Sequence, residues 1–287
     1  MKVTSLSDGV GVEVHDLQLS KLTSTEADLV NETWAEHGLL VFGDQELTEQ
    51  EHTDLALKLG EIDVNRFFSN VEGFDEIADV LKEPTDELNI GGGWHTDHSY
   101  DIAPARGSIL VARDLPPVGG DTRFLSTQRA WETLAPELKD RVSDLDAVHS
   151  SAHIFGPESA YAKKVGERFD NRHDVRLEDT IHPVVVAHPA TGVPSLFINP
   201  GFTIRLLGPG DEDANKELFD TLLLHIARHE HTFQFAWQPG SVAMWDNRST
   251  WHWALNDYEG HRRQMHRITL AGETLSRSHV RGAASQE

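Results

Sequence analysis

The sequence runs to 287 residues with no cysteine, and its 47 acidic side chains outnumber 25 basic ones to give a formal net charge of −22. The lack of cysteine excludes disulfides, thiolate ligands and thiol nucleophiles, so any metal must be held by nitrogen and oxygen. So acidic a surface repels phosphate backbones and argues against a nucleic-acid partner, and no run approaches the ~18 apolar residues of a transmembrane helix. The opening residues, MKVTSLSDGVGVEV, lack the apolar core of a signal peptide, which predicts a cytoplasmic protein. Hydrophobic residues make up 38% of the chain, enough for a sizeable core, and no repeat or linker divides it, so one domain over 1–287 is expected.

In chain order, Ser24 and Thr25 are placed to cap a helix that ends at Gly38, and the apolar run 39–42 reads as a buried strand. Thr48 caps a second helix that ends at Gly60. A strand over 107–115 leads into the turn PPVGGD, and a helix is expected near 126–142. The stretch 148–182 shows little periodicity and reads as a lid or binding loop. Strands then recur at 182–189, 195–199, 231–238, 241–246 and 263–272, with an amphipathic helix over 214–230 between them. The tail HVRGAASQE is polar and reads as frayed. Many strands with turn signals and a few helices outside them predict a mainly β (α+β) fold, a sandwich or jelly roll with peripheral helices.

The chemistry starts at Trp94-His95-Thr96-Asp97. In an extended segment, residues two apart project to the same side, so His95 and Asp97 can share a metal. One imidazole, one carboxylate and a distant second imidazole make the facial set of non-haem Fe(II) oxygenases, which leaves three adjacent positions open. His-x-Asp alone is a weak signal, since a surface histidine beside a turn aspartate gives the same letters. The stretch 245–267 offers several histidines for the third position. His252 follows the strand 241–246 and its turn, and Arg263 lies eleven positions later on the next strand. A keto acid chelating iron presents its far carboxylate some distance away, and a guanidinium can bind that group through two hydrogen bonds. The Thr122 hydroxyl, after Gly119-Gly120, is placed to add a third.

These residues resemble the Fe(II)/2-oxoglutarate-dependent dioxygenases, and within them the taurine dioxygenase and phenoxyacetate dioxygenase (TauD/TfdA) family. The matching blocks run in family order over nearly the whole chain: LLVFGDQ (39–45), WHTDHSY (94–100), GGDTRF (119–124), HPVVVAHP (182–189), LFINPGFT (196–203) and WDNRSTWHWALNDY with RRQMHR (245–267). The resemblance implies a double-stranded β-helix, a homodimer or homotetramer, and the co-substrates 2-oxoglutarate and O2. It implies iron held by His95, Asp97 and His252, and 2-oxoglutarate held by Thr122 and Arg263. It further implies a substrate anion gripped by Arg267 between walls that include Phe155 and Phe202. Where the taurine enzyme holds its substrate's amine region with polar side chains, this sequence has Asn65, Phe68 and Gly91. An apolar ring and a bare backbone in those places favour a bulkier, less polar anion, and Phe67 with the triplet Gly91-Gly92-Gly93 points the same way.

The expected reaction is therefore hydroxylation of a C–H bond in a small organic anion: a sulfonate, a sulfate ester or an aryloxyalkanoate. Asp97 favours hydroxylation over halogenation, because halogenating relatives lack this carboxylate. Taurine itself is the alternative substrate. A zinc hydrolase using the same three ligands would leave Thr122 and Arg263 without a task, and a non-catalytic β-sandwich would need no ligand set. His98 reads as a neighbour of the site or a surface residue and not a ligand, and His266 as structural. The group His225, His229 and His231 reads as a helix end where imidazole suits the dipole.

Overall fold

The computed structural model describes residues 1–169 and 177–280, so part of the 148–182 stretch and the end of the tail lie outside the described residues. The largest unit is a nine-stranded sheet. Its strands lie in the order Lys2–Ser5, Val12–His15, Leu39–Phe42, Val242–Asp246, Gly107–Asp114, Arg263–Leu270, Phe74–Lys82 and Asn70–Val71, with Ile62–Asp63 pairing to Arg263–Leu270 off this path. All its pairs are antiparallel except Val12–His15 with Leu39–Phe42. A three-stranded sheet, Thr232–Phe235, Thr122–Ser126 and Thr250–Ala254, packs against one face. Two smaller three-stranded sheets complete the jelly roll.

Alternation explains why the central strands are apolar on both sides. Leu39, Val41, Leu110, Ala243, Trp245 and Met265 point between the sheets, where they meet Phe124. Their neighbours Leu40, Phe42, Ile109, Val111, Val242, Met244 and Ile268 point the other way, onto Val30, Trp34, Leu55 and Leu59 of the first two helices. The same rule divides the smaller sheet. Leu125 and Trp251 face outward into a core shared with the helix Glu212–Ile226, whereas Phe124 and His252 face inward.

The first helix spans Ser24–His37, and its cap is Thr23 rather than Ser24 or Thr25. Thr23 accepts the Glu26 N–H while the Glu26 carboxylate accepts the Thr23 N–H at 2.9 Å, a reciprocal cap. Thr48 and Glu51 repeat this at Glu49–Leu59 as expected. The single helix expected over 126–142 is two, Thr127–Thr133 and Pro136–Val142. Pro136 cannot continue a helix but can start one, and it forces Ala135 into an extended conformation, ψ 140°. The run 182–189 also divides, into Thr180–Pro183 and Val185–Ala187, which belong to different sheets. Among the described residues of the stretch 148–182, short helices cover Ala152–Phe155 and Ala160–Val165 where its pattern shows little periodicity. The helix over 214–230 is Glu212–Ile226, capped by Asp211, and a 3-10 turn His229–His231 leads into the strand Thr232–Phe235. Among the described residues, no helix is long and apolar enough to cross a membrane.

Candidate active site

His95 and His252 come from distant parts of the chain and meet through their backbones. The His95 N–H donates to the His252 carbonyl at 3.1 Å, and the His252 N–H returns the bond at 2.9 Å. This lone bridge fixes the separation of the two side chains, whose ring centroids lie 4.1 Å apart. His95 forms the bridge and Asp97 sits in the turn just beyond it. Thr96, between them, donates its hydroxyl to the carbonyls of Asn247 and Thr250, which ties the segment to the turn before His252. The outcome is a compact donor set. His95 Nε2 lies 3.7 Å from Asp97 Oδ1, and His252 Nε2 lies 3.7 Å from Asp97 Oδ2.

The protonation states suit a divalent cation. Burial lowers the pKa of His95 despite the nearby Asp97 charge. Burial, reinforced by His95, lowers that of His252 much further. Burial would raise the Asp97 pKa, but Arg267 and the two histidines outweigh it and hold the carboxyl well below the usual aspartate range. His95 Nδ1 lies 2.8 Å from the Gly93 carbonyl, so its proton belongs there and the Nε2 lone pair faces Asp97. Two neutral imidazoles and one carboxylate, with ligand atoms all within 4.8 Å of one another, fit iron of the non-haem type.

These three residues line one cavity of about 410 Å³, and so do Thr122, Arg263, Arg267, Phe68, Gly91, Phe155 and Phe202. Arg263 is buried, with Nε donating to the Gly120 carbonyl at 3.0 Å and Nη2 left without a partner. Gly120 has a φ of +75°, and a Cβ there would stand 3.2 Å from the Arg263 side chain, so glycine is what lets the turn close on the guanidinium. Arg267 donates to Asp97 Oδ2 at 3.1 Å, and its guanidinium lies 4.8 Å from the Phe68 ring centre. Gly91, at φ +79°, leaves room beside His95, whose Cε1 would be 3.2 Å from an added Cβ. Much of the remaining wall is apolar: Val80, Leu88, Ile90, Ile154, and Phe67 stacked on Phe155 at 3.8 Å between centroids.

Asn65 departs from expectation. It is not in the cavity wall; its Oδ1 accepts the N–H groups of Phe67 and Phe68, so it shapes the turn that presents them. His98 is buried, with Nδ1 3.2 Å from Asp63 and 3.3 Å from Asp101, and Arg66 ion-pairs with Asp101. Burial opposes its charge, but hydrogen bonds to the two carboxylates prevail and raise it to about 9. His266 accepts from Arg113 Nε at 2.9 Å, a structural contact. His225 bonds the Ala130 carbonyl and His231 the Ile226 carbonyl, so both tie helix ends together. Trp245, Tyr100 and Tyr161 also line the cavity; Tyr100 adjoins the His-x-Asp motif and Trp245 opens the block at 245–258, while no sequence pattern marks Tyr161.

A family model described as "Taurine catabolism dioxygenase TauD, TfdA family" matches residues 2–269. An alkylsulfatase of Acinetobacter baylyi is 34% identical over 97% of this chain and 87% of its own length. An alpha-ketoglutarate-dependent sulfate ester dioxygenase of Pseudomonas putida is 31% identical over 95% of this chain and 90% of its own length. The crystal structure of a taurine dioxygenase from Burkholderia xenovorans superposes with a TM-score of 0.79 at 30% identity, covering 96% of this chain and 92% of that one.

Proposed function

Because the chain belongs to the taurine catabolism dioxygenase TauD, TfdA family, and is thus an Fe(II)- and 2-oxoglutarate-dependent dioxygenase acting on a small organic anion, we propose that its substrate is an alkyl sulfate ester. In this reading His95, Asp97 and His252 hold the iron. Thr122 and Arg263 take the far carboxylate of 2-oxoglutarate, and Arg267 takes the sulfate head. Phe68, Phe155, Phe202 and Gly91 border the alkyl body. When bound, iron supplies the positions at which O2 and 2-oxoglutarate react, giving succinate, CO2 and a hydroxylated substrate.

The observation that carries the substrate class is the contrast within the cavity: a guanidinium 3.1 Å from Asp97, and a remaining wall that is apolar over much of its extent. An anion on Arg267 brings its adjacent carbon next to the ligand set, which is the positioning the reaction needs. A chain of methylenes then replaces water along Val80, Leu88, Ile90 and Ile154, at about 0.8 kcal/mol per buried CH2. Taurine has an ammonium where that wall offers no carboxylate, and a buried, unpaired cation is costly. Hydroxylation at the carbon bearing the sulfate oxygen gives R–CH(OH)–O–SO3⁻. Its collapse breaks the C–O bond to sulfate and leaves R–CHO and hydrogen sulfate. The names of the two sulfate-directed relatives support the same choice.

The test is a panel of alkyl sulfates, alkyl and aryl sulfonates, aryloxyalkanoates and taurine, scored by succinate formed with the iron-loaded enzyme. A medium-chain alkyl sulfate is expected to exceed taurine in kcat/KM by roughly ten-fold or more, the worth of one polar group left unpaired. It should release sulfate and aldehyde in equal amounts with succinate. A preference for taurine would overturn the reading of the pocket.

A further inference from the structure

We infer that Trp237 is a positioning residue for 2-oxoglutarate, because its indole N–H holds the Thr122 hydroxyl as a donor while its ring lies against Arg263. The inference rests on the proposed reading of Thr122 and Arg263 as the carboxylate site.

Trp237 follows the strand Thr232–Phe235, whose last residue pairs with Thr122. Its Nε1 donates to Thr122 Oγ1 at 3.0 Å, and both side chains are buried. An indole can only donate, whereas a threonine hydroxyl carries one proton and two lone pairs. The bond therefore takes up acceptor capacity on Thr122 and leaves its proton to point elsewhere. Among the described residues no acceptor receives that proton, and Thr122 lines the cavity. The same cavity wall carries Arg263, whose buried Nη2 also lacks a partner. The Arg263 guanidinium lies 5.8 Å from the Trp237 ring centre, within cation–π range. One side chain thus touches both groups and leaves each with an unused N–H or O–H in a site out of water. An accepted hydrogen bond also polarises the hydroxyl and makes it a stronger donor. The pair is set for an acceptor-only, negatively charged group, which describes a carboxylate.

The test uses Trp237→Phe, which keeps an aromatic ring and removes the N–H. Calorimetry measures binding of two keto acids to the Mn(II)-loaded protein: 2-oxoglutarate, and 2-oxopentanoate, which lacks the far carboxylate. Trp237→Phe is expected to weaken 2-oxoglutarate by about five- to ten-fold, the worth of one neutral hydrogen bond, and to leave 2-oxopentanoate unchanged. In a Thr122→Val background the same substitution is expected to add little, since its target is gone. Unaltered 2-oxoglutarate binding in Trp237→Phe, or equal weakening of both keto acids, overturns the positioning role. If Thr122→Val and Arg263→Ala themselves leave 2-oxoglutarate binding intact, the carboxylate site has been misread and the inference falls with it. A second variant, Trp237→His, restores an N–H on a smaller ring; it is expected to recover part of the 2-oxoglutarate affinity, and no recovery counts against the hydrogen bond as the cause.

Discussion

Asp97 holds one negative charge among two imidazoles and a guanidinium, with the Ser108 hydroxyl 3.3 Å away. On the proposed assignment Asp97→Ala removes a metal donor and leaves Arg267 without its anion, so substrate-linked succinate release is expected to fall to background; retained hydroxylation would show that the carboxylate is not a ligand. The two arginines should separate. Arg263 faces Gly120 and Thr122, whereas Arg267 faces Asp97 and Phe68. Arg263→Ala is expected to raise the KM for 2-oxoglutarate by about ten- to a hundred-fold, and Arg267→Ala the KM for the organic anion by a similar factor, each reflecting a lost charge-assisted contact. Steady-state kinetics with each co-substrate varied in turn distinguishes them, and equal effects on both would mean that the assignments are wrong. The convergence of His95, Asp97 and His252 was legible through the family resemblance, since His-x-Asp alone is a weak signal and 245–267 offers several histidines for the third position. Trp237 was not, since an aromatic residue near a strand reads as core whether or not its N–H has a target. Asn65 was misplaced for a related reason: an amide can serve a ligand or its own backbone, and here it caps Phe67 and Phe68.

Helix ends and strand faces follow local rules, and their errors are local too. Thr23 and Glu26 satisfy each other's backbone N–H groups at the start of Ser24–His37. Thr23→Ala is expected to lower stability by about 1 kcal/mol, measurable by urea denaturation, with Ser24→Ala and Thr25→Ala nearly neutral. The strand Leu39–Phe42 was legible because all four residues are apolar and buried. Phe74–Lys82 was not, because Asp75, Glu76 and Asp79 interrupt its pattern and only part of it is buried. Its place between Arg263–Leu270 and Asn70–Val71 comes from sheet pairing, a long-range term that no short window contains. Pro136 was read as lying inside one helix, yet its ring ends the first and begins the second.

At the scale of the molecule, a buried ionic junction ties the large sheet to one of the smaller ones. Asp246, at the end of a central strand of the large sheet, takes two hydrogen bonds from the Arg248 guanidinium, at 2.8 and 2.6 Å, and a third from the Arg248 backbone N–H at 2.9 Å. It also lies 3.1 Å from Nε2 of His188, which follows a strand of another sheet. Burial would raise the pKa of Asp246, but Arg248 and His188 prevail and hold it below the ordinary aspartate value of 3.8. With the folded value depressed, its contribution is complete above the unfolded value and is lost as pH falls through the folded one. Asp246→Asn is expected to cost about 3–5 kcal/mol at pH 7, because Arg248 is left charged and buried. Its deficit relative to the natural chain should shrink below about pH 4, where the unfolded aspartate begins to take up its proton. Chemical denaturation at both pH values checks this, and a deficit independent of pH would contradict the ionic account.

The backbone bridge between His95 and His252 also sets an order of events during synthesis. A nascent chain that has emerged only as far as its first hundred residues carries His95 and Asp97 but no second imidazole, and it offers ferrous ion a poor hold. The complete donor set exists once the strand Thr250–Ala254 has left the ribosome and docked beside Thr122–Ser126. A metal held by these three side chains is therefore expected to bind only after the strands at 122–126 and 250–254 have paired.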